Sequence, residues 1–417
     1  MTFCFKGLFG VASHFSLLPQ LVEPYLPTWE NKYMSDFFAS VGERLFRFEL
    51  DSLGTLHHRE ELGLESPIHY VWPHSDRRLL YVASSKRWFT PHDGGHMLSV
   101  VKAPVNGGLR QVGKSVTLPT RPIHITVDQT NRFIVCVFNV PPGIEVRALL
   151  PDGSIGEKIE QPQTPDVGVF PHQARFSPNG SWLLIPARGN HPGKDSPEEP
   201  GSLRRFAFEE GRLRLVQVVA PNGGYGFGPR HIDFHPTLPF IYVSVERQNQ
   251  LQVFRFDGAE IEESRRQTFS TLSPEKSPLF PQHAGAIHVN AAANFVYVIN
   301  RDDLTNGTTP THITGDNTIA AFAIDPANGS VSPPVHSDLD AFHVRTFSLS
   351  APYIVAASQA DVFLPGESGP RKVGASLSVF RMRADGYLNR VHRTDMQADR
   401  SMLFWCGFPH AYGASWG

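Results

Sequence analysis

Cysteine is nearly missing from this chain: Cys4, Cys136 and Cys406 are the only three in 417 residues, and they stand far apart. That excludes a disulfide framework and a cysteine-based zinc site, and Cys136, inside an apolar run, reads as a small buried hydrophobe. Charge of either sign is also scarce, with a formal net charge of -2. A polyanion-binding face is therefore not expected, which argues against nucleic acid and against a strongly charged membrane surface as partners. The run from Gly7 to Leu18 is too short to span a bilayer. Ser13, His14 and Ser16 interrupt it, so it makes a poor secretory segment. The simplest expectation is a cytoplasmic protein. No Gly-x-Ser-x-Gly elbow and no Walker sequence occurs. Gly224-Tyr225-Gly226-Phe227-Gly228 opens no helix after a strand, so it is no dinucleotide fingerprint. His92 and His96 have a metal-like spacing, but the Gly-rich stretch Pro91–His96 gives them no rigid helix. Neither a metal nor a cofactor is expected.

The chain does contain a repeat. Six segments, VWPHSDRRLLYVAS, ITVDQTNRFIVCVFN, RFSPNGSWLLIPAR, DFHPTLPFIYVSVE, HVNAAANFVYVINR and FSLSAPYIVAASQ, share one pattern. Each is an apolar strand, a polar turn, and a second apolar strand opening on Leu79, Phe133, Trp182, Phe240, Phe295 or Tyr353. The openers are 54, 49, 58, 55 and 58 residues apart. Strand pairs repeated at this period point to propeller blades. No convincing helical period competes with them. The 35 glycines and 35 prolines punctuate the strands, as many tight turns require.

Residues 34–417 hold about seven such units, whereas six hairpins are visible. The missing blade is expected from the two ends: Phe37–Val41 and Arg44–Leu50 from one, Met402–Phe408 from the other. A ring closes best this way, because sharing a blade between the termini removes exposed edges. The predicted fold is therefore an all-β, seven-bladed β-propeller over residues 34–417. Residues 1–33 lack the repeat and are expected to be a loosely ordered extension.

Six residues beyond each opener lie Ser85, Asn139, Arg188, Glu246, Arg301 and Gln359, all polar and each ending a second strand. Antiparallel pairing puts the start of the first strand beside the end of the second. The same rim thus receives Arg121-Pro122-Ile123-His124, Pro171-His172-Gln173, Pro229-Arg230-His231, Gln282-His283 and His343-Val344-Arg345. A concave rim of Arg, His and Glu is the expected site. Long polar stretches, Lys86–His96, Asn190–Pro200, Asp302–Asp316 and Asp361–Gly374, leave from the same rim and suggest a covering lid.

At these residues the sequence resembles a known family. GPRHIDFHPTLPFIYVSVE, FPHQARFSPNGSWLLIPA, RPIHITVDQTNRFIVCVFN and HVNAAANFVYVINR are similar to the seven-bladed propeller lactonases, the family of the 6-phosphogluconolactonase and carboxymuconate lactonizing types. The most specific piece is Gly-Pro-Arg-His with a Glu sixteen residues after the Arg. The resemblance implies His172, Arg230, Glu246 and Arg301 as catalytic residues. From the rim, Arg188, Asn139, Gln359 and His283 are substrate-binding candidates. The long stretches after Arg188, Arg301 and Gln359 depart from the family pattern and bear on the substrate.

Ring opening of a lactone needs a base to activate water and a charge to stabilise the oxyanion. Glu246 and His172 are candidates for base and acid. Arg230 and Arg301 suit the oxyanion and an anionic substituent, since guanidinium groups bind both bidentately. The expected partner is a small lactone; cyclisation of a carboxylated muconate uses the same groups and is the alternative. A third reading is a propeller that only binds a partner protein. Plainer roles compete residue by residue: an ion pair within one blade for Arg230 and Glu246, and a core position for His172.

Overall fold

The computed structural model describes Met1 and residues 34–86, 95–276, 281–302, 315–359, 361–364, 369, 371–398, 401–413 and 415. The chain divides into two compact units, Met1–Lys32 and Tyr33–Gly417. The extension expected over residues 1–33 falls outside the described residues apart from Met1.

The second unit is a seven-bladed propeller of four-stranded antiparallel sheets. The predicted hairpins each form the two inner strands of a blade. Blade 2 opens with Ile68–Pro73 and Leu79–Ser85, blade 3 with Pro122–Val127 and Phe133–Asn139, blade 4 with Arg175–Phe176 and Trp182–Ala187. Blade 5 opens with Pro229–Phe234 and Phe240–Val245, blade 6 with Gln282–Val289 and Phe295–Asp302, blade 7 with Val344–Ser350 and Tyr353–Ser358. Blade 1 takes its innermost strand, Leu403–Gly407, from the C-terminal end. Ser35–Val41, Arg44–Leu50 and Leu56–Gly63 follow outward. Closure through shared termini is thus as the sequence predicts, with Val41 opposite Leu403 and Phe38 opposite Gly407.

The hairpins recur because their turns carry one device. The residue five before the opener accepts backbone N–H groups of the turn: Asp128 from Arg132 and Phe133, Asn290 from Asn294 and Phe295, His235 from Thr237 and Leu238. Short polar side chains satisfy turn donors in this way without strand geometry. The core is divided among the seven junctions between neighbouring blades. Phe37, Phe48 and Phe408 of blade 1, for instance, pack with Tyr353 and Val355 of blade 7. Tyr242 donates its hydroxyl to the carbonyl of Gly329 in blade 6, and Tyr353 donates to Ser52 in blade 1. Each buried aromatic at a junction contributes about 1.5–3 kcal/mol by burial.

One irregularity positions the site. The inner strands of blades 1, 2, 3, 5 and 7 bulge near their start, leaving Phe404, His69, Ile123, Arg230 and Arg345 as the extra residue. A bulge re-aims a side chain and kinks the strand. In blade 4 the equivalent stretch pairs only through Pro171 with Ala187, and His172 follows it.

Candidate active site

Glu246 directly follows the second strand of blade 5 and is 1 % exposed. Its Oε1 accepts from Arg230 of its own blade and, at 2.8 Å, from Arg301 of blade 6. Its Oε2 accepts from Arg188 of blade 4 at 2.6 Å. One carboxylate therefore ties three blades together at the axle. The ion pair within blade 5, considered from the sequence as a plain alternative, exists and is one part of this larger cluster. Burial would push the Glu246 carboxyl up, but Arg230, Arg188 and Arg301 overcome that and hold it well below the usual range.

The arginines are themselves braced. Arg188 lies over the ring of Phe170, 3.9 Å from its centroid. Phe170 has a φ of 52°, and its carbonyl accepts the Arg188 backbone N–H. Arg301 also meets Nε2 of His343 at 3.3 Å. The Nδ1 of His343 donates to the Asp302 carbonyl at 2.6 Å, so its Nε2 carries the lone pair that Arg301 bonds. His343 is another left-handed non-glycine, with φ 49°. Two such residues flanking one site store strain of about 1–3 kcal/mol each. Nε of Arg188 and Nε of Arg230 are buried donors without an acceptor among the described residues.

His172 stands beside this cluster, with Nδ1 3.2 Å from Nε2 of His231. Burial, then Arg230 and His231, lower its pKa well below the usual imidazole range, and burial, Arg230 and His124 do the same to His231. His343 is lowered by burial and by Arg301 and Arg345. All three are neutral at pH 7, so the imidazoles add no charge to the arginines.

The remaining candidates divide. Arg188 belongs to the cluster. His283 lies opposite Arg301 in the blade 6 register and within electrostatic reach of Glu246 and His343. Asn139 accepts from Arg121 at 3.2 Å, and Gln359 donates to the Met402 sulfur at 3.4 Å. These two share the rim column but lie outside the bonds to Glu246, Asn139 bonding within blade 3 and Gln359 reaching from blade 7 to the residue before the blade 1 strand Leu403–Gly407. Sequence reasoning assigned no role to Arg345, which lies over the ring of Phe404 at 4.1 Å. The comparison of bulge positions across blades is the signal that exposes it, since Arg230 and Arg345 occupy the same place.

Of the four long stretches, Asn190–Pro200 is fully described. It folds on itself through the Asn190–Glu199 pairing, and Gly193 donates to the Ser196 carbonyl. The stretch from Asp361 carries a two-stranded ribbon, Val362–Leu364 with Arg371–Val373. Residues 87–94 and 303–314 lie outside the described residues, and so does most of the lid expectation. So do Pro91–Gly94; described His96 bonds Ser85 at 2.7 Å. Among the described residues, no three His, Cys, Asp or Glu side chains converge as metal ligands. None of the described helices is long and apolar enough to cross a membrane.

Among the described residues, a closed wheel of seven sheets thus carries three arginines on one glutamate at one axial mouth. The chain belongs to the lactonase family of seven-bladed β-propellers, whose model, "Lactonase, 7-bladed beta-propeller", matches residues 33–363. It is 22% identical over 312 residues to a 6-phosphogluconolactonase of Bacillus subtilis, covering 72% of this chain and 79% of that protein. A 6-phosphogluconolactonase of Pectobacterium atrosepticum is 25% identical over 196 residues, 47% of this chain and 54% of that one. Among solved structures, the periplasmic gluconolactonase of Pseudomonas aeruginosa superposes with a TM-score of 0.67 at 19% identity, covering 88% and 97% of the two chains. A protein from Lactobacillus plantarum gives 0.66 at 15% identity, covering 88% and 98%.

Proposed function

We propose that this protein hydrolyses a small anionic lactone at the mouth built around Glu246. The observation that carries the reading is the charge imbalance there: Arg188, Arg230 and Arg301 share one carboxylate, and the imidazoles beside them are neutral. Such a site leaves net positive charge in a low-dielectric wall, where it favours a substrate anion and a developing oxyanion. The relatives named 6-phosphogluconolactonase support hydrolysis of a phosphorylated sugar lactone. They give no support to muconate cyclisation.

The two candidates for base and acid separate on their environments. Glu246, gripped by three guanidinium groups, takes a proton only at great cost, so its role is to hold the arginines in place. His172 is neutral, and its Nδ1 faces His231, which leaves Nε2 for water. In the reaction, water attacks the lactone carbonyl carbon as His172 removes its proton. The carbonyl electron pair moves to oxygen, where Arg230 and Arg301 stabilise it. The tetrahedral intermediate then collapses, the ring C–O bond breaks, and the departing alkoxide takes the proton back from His172. The product is the open-chain hydroxy acid.

A pH-stat assay of 6-phosphogluconolactone hydrolysis tests this. His172→Asn is expected to lower kcat by about 10²–10⁴, the usual contribution of general acid–base catalysis. Unchanged kcat would remove His172 from the mechanism, and absence of hydrolysis by the wild type on a lactone panel would remove the activity.

A further inference from the structure

Arg345 differs from Arg121, Arg188, Arg230 and Arg301 at this mouth. Arg188, Arg230 and Arg301 bond Glu246, and Arg121 bonds Asn139. Arg345 has no carboxylate within ion-pair distance among the described residues, and its partner is the face of Phe404. It occupies the bulge of blade 7, as Phe404 occupies that of blade 1 and His69 that of blade 2. Phe404 in turn packs on His69, ring centroids 4.9 Å apart. Three consecutive blades thus stack a cation, an aromatic ring and an imidazole along the wall. His69 is neutral, its pKa lowered to about 3 by burial, Arg121 and Arg345. Burial and the repulsion of Arg230 and Arg301 weigh against the charge on Arg345. Glu246 opposes that from beyond ion-pair distance, so a half-buried cation facing like charges, with no carboxylate paired to it among the described residues, is a cost to the empty protein. An incoming anion removes that cost.

We infer that Arg345, held flat on Phe404, binds an oxyanion carried by the substrate away from its reacting carbonyl, and so sets the preference for a charged over a neutral lactone. The inference rests on the hydrolytic reading above and deepens it. It assigns separate tasks to the two sets of arginines. Those on Glu246 are fixed for the reacting carbonyl, and Arg345 is available to the distant substituent. Phosphate and carboxylate share the required chemistry, because a guanidinium grips either with paired N–H groups.

The test is Arg345→Met, which keeps an unbranched apolar stem against Phe404 and removes the charge. The selectivity ratio, kcat/KM for 6-phosphogluconolactone over that for unphosphorylated gluconolactone, is expected to fall at least tenfold, mainly through KM. A carboxylated lactone assayed in parallel separates the two oxyanions: the larger fall identifies the natural substituent. Thermal melting gives a readout independent of turnover. Inorganic phosphate should raise the melting temperature of the wild type and not of Arg345→Met, and the ligand-free variant should melt no lower than the wild type. An unchanged selectivity ratio, or equal losses on both lactones with a lower melting temperature, would overturn the assignment by making Arg345 a structural residue. If the wild type hydrolyses no lactone, the hydrolytic reading fails by itself, and the phosphate-dependent melting shift still decides whether Arg345 holds an oxyanion.

Discussion

The two mouths of the axle are lined by the same seven inner strands, read at opposite ends, yet they handle charge differently. At the far mouth Arg175 and Asp233 pair one to one at 2.8 Å. Asp233 also accepts the backbone N–H groups of Phe234 and Val289, so its charge is fully answered. His288, 4.0 Å away, is held neutral by burial, its pKa lowered to about 4 although Asp233 opposes the shift. A cavity of about 580 Å³, lined by Trp72, Asp128, Arg175, Asp233, His288 and Tyr412 among others, opens there. At the near mouth three arginines share one glutamate, and Arg345 has no carboxylate within ion-pair distance among the described residues. Room is therefore not what distinguishes a site. The far mouth holds a cavity and is electrostatically closed, whereas the near mouth, among the described residues, holds more arginine charge than its glutamate answers.

Neutralising the hub residue at each mouth separates them most strongly. Glu246→Gln leaves two buried guanidinium groups and the half-buried one of Arg188 facing one another, so we expect a stability loss of about 3–5 kcal/mol in denaturant titration together with loss of turnover. Asp233→Asn should cost stability of the same order and leave kcat/KM within about threefold, since its partners lie at the opposite end of the strands. Equal catalytic loss from both would erase the distinction between the mouths.

Removing one oxyanion donor is the next effect in size. Arg301→Ala should lower kcat by about 10²–10³, as loss of such a donor does elsewhere. A rise in KM alone would move Arg301 from the reacting carbonyl to ground-state binding.

Acid should then act on both mouths. His69, His124, His172, His231, His288 and His343 all have pKa values lowered by burial. Each binds a proton more readily in the unfolded chain, so stability is full above the unfolded value of about 6.5 and falls as pH drops below it. Melting temperature followed from pH 7 to pH 4.5 should decline with uptake of several protons on unfolding. A flat profile over that range would mean these imidazoles are not held neutral. The smallest effect is that of salt. Raising ionic strength should weaken binding of a phosphorylated lactone at the near mouth by a few-fold, with little effect on a neutral one.

Much of this was legible in the chain. The six hairpins show because one turn device and one bulky opener recur at a regular interval. The seventh blade shows only as alternating apolar residues at both ends. The rim column is legible because position six after the opener always lies within one residue of the second strand's end. What that column does is not, because function is set across blades: Arg188, Glu246 and Arg301 come together only when blades 4, 5 and 6 close side by side. Asn139 and Gln359 have the same register and different neighbours, so they bond Arg121 and Met402 instead. His231, present in the rim pattern without an assigned role, is the partner of His172. The bulges were hidden altogether, since an extra residue changes a side chain's direction without changing the hydrophobic pattern, and with them went Arg345 and Phe404.

The central claim is that unbalanced positive charge at the near mouth selects an anionic lactone. Hydrolysis of 6-phosphogluconolactone and of unphosphorylated gluconolactone by the wild-type protein, compared as kcat/KM under identical buffer and salt, tests it most directly. The account predicts turnover of both with the phosphorylated lactone favoured at least tenfold. Equal rates, or a preference for the neutral lactone, would contradict it.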